Sequence, residues 1–201
     1  MIKAVIFDVG GVLIRTEDDS SRRSWERKLG LADWESEEIV FNSAMGKKAQ
    51  EGALSDAELW AWVGERLDLG NQLDAFRAGF FGGDVLDSTL VEYIRSLRPH
   101  YKTAIISNAT DGLQTAVADI ADAFDLIVGS AEEKVMKPDP EIYLRTLDRL
   151  GVQPQESVFI DDFAHNIAAA HKLGIFTIHY HPGTNIPAIL AQFGVMPAED
   201  K

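Results

Sequence analysis

The stretch at residues 1–14, MIKAVIFDVGGVLI, decides the fold of this chain. Its segment Ala4-Val5-Ile6-Phe7 is apolar at every position, so it predicts a strand that is buried on both faces, as in a parallel sheet covered by helices. The strand ends on a single carboxylate, Asp8, and the chain then turns through Gly10-Gly11. Ligands of open parallel sheets gather at the carboxyl ends of the strands, and glycines let a ligand approach bare backbone. Asp8 is therefore the first candidate for a functional residue, with an Asp that only caps a turn as the alternative.

Further apolar runs predict four more strands, at residues 101–107, 126–129, 157–161 and 175–179. Helices are predicted around them at 86–97, 111–120, 141–150, 163–174 and 186–193. The helix at 141–150 has clear end signals, with Asp139 as its N-cap, Pro140 in its first turn and Gly151 after its last residue. Alternation of strand and helix predicts an α/β fold with a doubly wound parallel sheet, because right-handed crossovers place helices on both faces. The carboxyl ends of all the strands then share one rim.

Residues 16–83 have a different character, because apolar residues recur there at helical spacing. We expect an inserted helical bundle, or cap, over this segment, and a core domain built from residues 1–15 and 84–201. The expected helices are marked by Trp25 and Leu29, by residues 39–41, by the capping-box pattern from Ser55 to Glu58, and by residues 73–81.

Two features of this insertion have alternative interpretations. All four tryptophans fall within it, and we expect them to form the core of the bundle, with one or two lining a substrate pocket as the alternative: Trp25, Trp34, Trp60 and Trp62. The segment Met45-Gly46-Lys47-Lys48 is expected to be a solvated loop between helices. The alternative is a basic lid over a site, since lids are common where water must be excluded.

The charge balance excludes several kinds of partner. The chain of 201 residues has 32 acidic and 19 basic side chains and a net charge of −13. Such a field repels nucleic acid and anionic membranes, so a small phosphate ester binds only where local positive groups or a metal ion overcome it. The sequence has no cysteine, and no apolar run approaches the roughly 20 residues that span a bilayer. We therefore expect a protein of the reducing cytoplasm that binds neither membranes nor nucleic acid.

Polar side chains follow the predicted strands at the shared rim. Asp8, Ser107 and the pair Asp161-Asp162 end three strands, and Lys137 stands on a stiff loop just before a helix. Carboxylates that share a site repel one another, and a hard cation such as Mg²⁺ relieves that repulsion. A hydroxyl and an ammonium beside them suit the oxygens of a phosphoryl group. Each residue alone has a structural explanation, as a turn residue, a helix-capping acid or a surface lysine, but together they predict a phosphoryl-transfer site.

Four ordered segments carry a resemblance to a known family. They resemble the four motifs of the haloacid dehalogenase-like hydrolase superfamily and read Phe7-Asp8-Val9-Gly10-Gly11-Val12, Ser107-Asn108, Lys137-Pro138 and Asp161-Asp162. The resemblance covers essentially the whole chain and implies a Rossmann-like core. The insertion is similar to the helical cap of that superfamily's phosphatases, particularly the branch with sugar-1-phosphate phosphatases and the amino-terminal domains of epoxide hydrolases. The motif set is specific to the family and does not name a substrate.

The resemblance implies a Mg²⁺-dependent phosphatase for a small phosphorylated metabolite, with a sugar phosphate among the candidates. Asp8 would attack phosphorus to give an aspartyl phosphate, and Lys137 would neutralise charge on both the nucleophile and the phosphate. Substrate would be held by Ser107, Asn108 and Gly11. Magnesium would be bound by Asp8, the backbone carbonyl of Gly10, Asp162 and Asp161, with Asn166 in the place of a further acid of the metal shell.

Gly10 departs from the family pattern and keeps other functions open. Family phosphatases usually carry a second Asp at this position as general acid and base, although the branch with sugar-1-phosphate phosphatases tolerates glycine. A carbon–halogen hydrolase would use the same nucleophile without Mg²⁺, and a pseudo-enzyme that only binds phosphorylated ligands is compatible with the glycine. A phosphoacceptor receiver module shares the residue types, but there the acidic pair ends the first strand and no cap is inserted.

Overall fold

The structure, a computed structural model, describes residues 1–98 and 100–197. Its strands are β1 (Ala4–Phe7), β2 (Ile14–Thr16), β3 (Asp84–Leu86), β4 (Lys102–Ser107), β5 (Leu126–Gly129), β6 (Ser157–Asp161) and β7 (Phe176–His179). Five of them form a parallel sheet in the order β5-β4-β1-β6-β7, and β2 pairs with β3 in a separate antiparallel sheet. The predicted doubly wound parallel sheet is therefore confirmed.

Helices flank this sheet and fill the insertion. In chain order they are α1 (Ser20–Leu29), α2 (Glu35–Glu37), α3 (Ala44–Gln50), α4 (Asp56–Arg66), α5 (Leu73–Phe81), α6 (Ser88–Leu97), α7 (Leu113–Ala116), α8 (Ser130–Glu133), α9 (Pro140–Leu150), α10 (Ala164–Lys172) and α11 (Ile186–Gln192). A π-helix lies at Glu38–Asn42, and 3-10 turns lie at Gly70–Gln72, Ala118–Ala123 and Pro154–Glu156. Within the described residues, every helix is too short or too polar to cross a membrane.

The central strand β1 is buried on both faces. Val5 and Phe7 pack into one core with residues of α6 and α11, whereas Ala4 and Ile6 pack into a second core with residues of α9 and α10. All four side chains are at most 1% exposed. Burying a large apolar side chain contributes about 1.5–3 kcal/mol, so both faces of this strand favour apolar residues. This explains why the segment shows no alternation of apolar and polar positions.

Parallel pairing brings the strand ends to one rim. Phe7 lies opposite Ile105 of β4 and Ile160 of β6. The next residue, Asp8, donates its N–H to the carbonyl of Ile160 at 2.9 Å. Ser107 and Asp161, which end β4 and β6, therefore flank Asp8 along this rim.

Helices α1–α5 enclose a third core. The rings of Trp60, Phe76 and Phe80 lie 5.9–6.3 Å apart at its centre, and the predicted capping box of Ser55 and Glu58 begins α4. The β2–β3 pair stands where the chain enters and leaves these helices, so Thr16, the first residue of the predicted insertion, lies in β2. The division into a core and an insertion at residues 16–83 stays a prediction, and the predicted end of the core at residue 201 lies outside the described residues.

The prediction of a loop at Met45-Gly46-Lys47-Lys48 is wrong, because α3 includes all four residues. Ser43 begins this helix by accepting a hydrogen bond from the N–H of Gly46 at 3.0 Å. A Cβ on Gly46 would overlap the carbonyl of Val40. The glycine therefore provides room for α3 to pack against the preceding π-helix, where the sequence predicted a solvated loop.

The prediction that all four tryptophans are core residues is wrong for Trp34. Trp60 is 4% exposed, but Trp34 is 51% exposed, and Trp25 and Trp62 pack against the third core from its edge. Trp34 has a left-handed backbone, with φ at +69°, and precedes α2. The guanidinium of Arg23 lies 3.9 Å from the centre of its ring, so the residue is held by a cation–π contact on the surface.

Two predicted helices begin later than the sequence suggests. The helix predicted at 86–97 starts at Ser88, because Leu86 pairs with Ile14 in β3 and the Asp87 side chain accepts the N–H of Leu90 at 2.9 Å. The helix predicted at 111–120 is replaced by α7 and a 3-10 turn. The carboxylate of Asp111 instead accepts a hydrogen bond at 2.8 Å from the N–H that begins α4, which ties this loop to the inserted helices.

Candidate active site

A buried lysine lies between two carboxylates at the rim of the sheet. The ammonium of Lys137 is 2.8 Å from Asp8 Oδ1 and 2.7 Å from Asp161 Oδ2. Lys137 is 1% exposed, Asp161 is 0% exposed and Asp8 is 6% exposed. Charges withdrawn from water are tolerated when they are paired and hydrogen-bonded, as these three are. Buried charged groups at a rim where ligands bind are candidates for catalysis.

Three separate parts of the chain bring these residues together. Asp8 follows β1, and its Oδ1 accepts the N–H of Val9 at 2.7 Å. Asp161 is the last residue of β6. Lys137 lies in the loop between α8 and α9, two residues before Asp139, whose side chain caps α9. This cap fixes the carboxyl-terminal end of the loop that carries Lys137.

Asn108 bonds to the main chain of Lys137. Its Oδ1 accepts the N–H of Lys137 at 2.8 Å, and its Nδ2 donates to the carbonyl of Lys137 at 2.9 Å. The family resemblance implies that Asn108 holds phosphoryl oxygens. An asparagine amide has two N–H groups, so one of them remains for any such contact.

Burial and neighbouring charges shift the pKa values of the site. Burial raises the pKa of Asp8 from 3.8 to about 7, although Lys137 acts in the opposite direction. Burial disfavours the charged form of Lys137, but Asp8 and Asp161 together outweigh it and raise the pKa of the lysine. Burial, followed by the charge of Asp161, raises the pKa of Asp162. The lysine therefore stays charged, while an added cation would favour full ionisation of the carboxylates.

Three carboxylates form a set that is suited to a hard cation. Oxygens of Asp8, Asp161 and Asp162 lie within 4.8 Å of one another. Among the described residues, Oδ1 of Asp162 is buried without a hydrogen-bond partner. A buried carboxylate oxygen without a partner is costly, and a bound cation would satisfy it. Mg²⁺ and other hard divalent cations take carboxylate oxygens as ligands, so the residues present fit such an ion.

The two glycines after Asp8 have different surroundings. The φ of Gly11 is +76°, and a Cβ there would overlap the carboxylate of Asp162. The N–H of Gly11 donates to the carbonyl of Ile14 at 2.9 Å, so the residue implied to bind substrate already has its donor engaged and instead makes room for Asp162. A Cβ on Gly10 would meet no heavy atom within 4 Å, so this position is open.

A second layer of residues holds the acidic pair. Nδ2 of Asn166 lies 3.1 Å from both oxygens of Asp161, and the N–H of Phe163 donates to Asp161 Oδ1 at 2.7 Å. Nε2 of His179 lies 2.9 Å from the carbonyl oxygen of Asp162. A carbonyl only accepts, so this ring nitrogen carries the proton. The sequence suggested no role for His179. Pairing of the predicted strands β6 and β7 would have placed it opposite Asp161, which is the signal that could have identified it.

Ser107 is buried at the end of β4, on the far side of Asp8 from Asp161. The structure thus gathers Asp8, Lys137, Asp161 and Asp162 into one cluster and places Ser107 and Asn108 beside it, at the end of the adjacent strand β4. The roles of these residues in catalysis and binding stay predictions.

Comparison with known proteins points in the same direction. A family model described as haloacid dehalogenase-like hydrolase matches residues 2–174. A D-ribitol-5-phosphate phosphatase from Bacteroides thetaiotaomicron is 27% identical over 199 residues, which cover 92% of this chain and 95% of that protein. An (S)-2-haloacid dehalogenase from Xanthobacter autotrophicus is 26% identical over 199 residues, which cover 87% of this chain and 73% of that protein.

A solved structure extends the likeness to the whole architecture. It is a mutant of a HAD family enzyme from Bacteroides thetaiotaomicron in complex with magnesium and inorganic phosphate, and it superposes with a TM-score of 0.77 at 25% identity. The match covers 94% of this chain and 99% of that chain. The sheet and the inserted helices therefore share an arrangement with a protein that binds both magnesium and phosphate.

Proposed function

We propose that this chain, which belongs to the haloacid dehalogenase-like hydrolase family, is a Mg²⁺-dependent phosphatase for a small phosphorylated metabolite. The observation that carries the proposal is the buried ammonium of Lys137 between Asp8 and Asp161, beside the unpartnered oxygen of Asp162. This set combines a carboxylate nucleophile with positive charge for a phosphoryl group and ligands for a cation. The similarity to a D-ribitol-5-phosphate phosphatase, and to an enzyme solved with magnesium and phosphate, supports it.

In the proposed reaction an oxygen of Asp8 attacks phosphorus, and the bond between phosphorus and the leaving oxygen breaks. This gives an aspartyl phosphate, which water hydrolyses to inorganic phosphate and the free carboxylate. The ammonium of Lys137 neutralises charge that builds on the phosphoryl oxygens, and Ser107 donates a hydrogen bond to one of them. Bound Mg²⁺ supplies Lewis-acid stabilisation of phosphoryl charge and would be held by Asp8, Asp161, Asp162 and the carbonyl of Gly10.

Neither Gly10 nor Asp161 can donate a proton to the leaving group at the proposed site. Gly10 has no side chain, and Asp161 cannot replace the missing acid because both of its oxygens accept hydrogen bonds. A positioned general acid typically contributes about 10² to 10⁴ in rate. The preferred substrates are therefore esters whose leaving group is already acidic, such as acyl, aryl or anomeric sugar phosphates. Simple alkyl phosphates, such as the substrate named for the D-ribitol-5-phosphate phosphatase, should react more slowly.

The test is a screen of phosphorylated metabolites with the full chain, in excess Mg²⁺ and in excess chelator. The panel contains D-ribitol 5-phosphate, matched sugar 1-phosphates and 6-phosphates, acetyl phosphate and p-nitrophenyl phosphate. We expect phosphate release only with Mg²⁺, and faster release from 1-phosphates than from 6-phosphates. Absence of release from every ester in the presence of Mg²⁺ would refute the proposal.

A carbon–halogen hydrolase is the second candidate, because the (S)-2-haloacid dehalogenase is nearly as similar as the phosphatase. In that reaction Asp8 would attack carbon and displace halide without a metal ion. The cluster of three carboxylates favours the phosphatase, since displacement of halide does not require a cation site. Halide release from (S)-2-chloropropionate in excess chelator, without phosphate release from any ester, would reverse the assignment.

A further inference from the structure

One side chain satisfies both main-chain polar groups of Lys137. Asn108 Oδ1 accepts the lysine N–H at 2.8 Å, and Asn108 Nδ2 donates to the lysine carbonyl at 2.9 Å. An amide side chain presents an acceptor and a donor side by side, as a neighbouring peptide group does. Asn108 therefore binds Lys137 much as an adjacent strand would. Two bonds of this kind fix both the position and the rotation of the lysine backbone.

The location of Lys137 makes such an anchor necessary. Residues 134–139 connect α8 to α9 without regular structure, and the ammonium stands at the end of a flexible four-carbon stem. Its two contacts, at 2.7 and 2.8 Å, tolerate little displacement before they weaken. Asn108 follows β4, which is paired with β1 at four consecutive positions. The amide thus ties the lysine to the same pair of strands that carries Asp8.

We propose that Asn108 is a positioning residue that sets the Lys137 ammonium between its two carboxylates, and that it does not act chiefly by holding phosphoryl oxygens. The inference rests on the proposed phosphatase function, in which the lysine neutralises phosphoryl charge. If Asn108 acts through the lysine, removing its side chain has no further effect once the lysine is gone.

A double-mutant cycle tests this with the full chain, p-nitrophenyl phosphate and Mg²⁺. Asn108→Ala should lower kcat about 10²-fold, the effect of misplacing a catalytic group by about an ångström, with KM changed by less than about threefold. The double variant Asn108→Ala/Lys137→Met should be no slower than Lys137→Met alone. Additive losses, or a raised KM with unchanged kcat, would mean that Asn108 contacts the substrate and would overturn the proposal. Asn42→Ala, at an exposed asparagine that bonds Glu38, is the matched control.

Labelling with acetic anhydride, followed by mass spectrometry, measures the same effect without activity. Lys137 is 1% exposed, and the side chain of Lys102, which is 57% exposed, serves as the internal reference. Asn108→Ala should raise labelling of Lys137 relative to Lys102 about tenfold or more, because two hydrogen bonds that hold the loop are lost. Raised labelling in a chain that hydrolyses no ester would retain the positioning role and refute only the phosphatase. Unchanged labelling would refute the positioning role whatever the activity. If Asn108→Ala does not fold, Asn108→Asp keeps the acceptor oxygen and should show a smaller rise.

Discussion

Replacement of Gly10 by aspartate tests whether the lack of an acidic side chain at this position limits the rate of the proposed reaction. Gly10 is exposed, its φ lies outside the left-handed region, and a Cβ there would meet no heavy atom within 4 Å. Gly10→Asp therefore adds a carboxyl group two residues from Asp8 without backbone strain or a steric clash. Any change in rate can then be attributed to the added carboxyl group, because the substitution is not expected to alter the fold.

The size of the expected gain depends on the leaving group. A general acid contributes about 10² to 10⁴ in rate, or roughly 3 to 5 kcal/mol of barrier. An alkoxide needs this help, whereas p-nitrophenolate leaves almost unaided. Gly10→Asp should raise kcat/KM for D-ribitol 5-phosphate at least about 10²-fold and for p-nitrophenyl phosphate less than about threefold. We expect a large ratio of kcat/KM between the two esters in the wild type and a much smaller ratio in Gly10→Asp.

Rapid-mixing kinetics with both esters measure this and a second effect of the same cause. The missing carboxyl group would also activate the attacking water, so the aspartyl phosphate on Asp8 should persist in the wild type and p-nitrophenol should appear in a burst. Gly10→Asp should abolish the burst. Gly10→Asn has a similar shape but no transferable proton, and it should behave as the wild type. Rates that ignore leaving-group acidity, or an Asn variant as fast as the Asp variant, would mean that a residue of the insertion or a substrate hydroxyl supplies the proton.

Three further substitutions test the remaining parts of the site. Asp8→Asn should abolish turnover with an unchanged circular dichroism spectrum, and residual turnover in a clean preparation would defeat the assignment of the nucleophile. Because the folded pKa of Asp8, about 7, lies above its ordinary value of 3.8, the metal-free chain loses stability as pH rises between these values. Metal-free Asp8→Asn should therefore melt at a higher temperature than the wild type at pH 8, with a smaller difference at pH 5; equal Tm values at pH 8 would contradict the burial argument. Asp162→Ala should raise the Mg²⁺ concentration for half-maximal activity by more than about tenfold, and full activity in excess chelator would favour the dehalogenase. Gly11→Ala should weaken Mg²⁺ binding in calorimetry to a similar extent by displacing Asp162, whereas Gly183→Ala, at a positive φ with open space around it, should leave Mg²⁺ binding unchanged.

The sheet was predictable because its signal is local and strong. Ala4-Val5-Ile6-Phe7 has no polar position, and only a strand covered on both faces suits such a run. Topology then supplies the site, since parallel strands must end at the same rim and Asp8 and Asp161 each end or follow a strand. No knowledge of side-chain direction was needed for either step.

Contacts that depend on side-chain direction were not predictable. Asn108 follows a strand at the rim. Its amide side chain could form hydrogen bonds with a bound ligand as readily as with the main chain of Lys137. The direction is decided by where residues 134–139 pass, which no local pattern encodes. The same holds for His179, whose bond to the carbonyl of Asp162 depends on how closely the end of β7 approaches the acidic pair.

The sequence predicted that the insertion is helical, but it gave the wrong local structure or environment at particular residues. Gly46 suggested a loop, although its missing side chain serves a close contact between α3 and the carbonyl of Val40. Trp34 suggested a core residue, because hydrophobicity alone does not reveal the positive φ that turns it towards Arg23 and solvent. Leu86 looked like part of a helix because a strand of three residues is too short to show alternation.

The position of β1 at the centre of the sheet has a consequence for biosynthesis. This strand leaves the ribosome before either of its neighbours, because Ala4 pairs with Lys102 and Ser157, which are made much later. Until then the apolar segment has neither of its neighbours, and unpaired apolar strands are prone to aggregation and are targets of chaperones. Pairing over such sequence distances also slows folding. A chain that stalls before β6 would carry Asp8 without Asp161, so it would lack part of the proposed site while one edge of β1 stays unpaired.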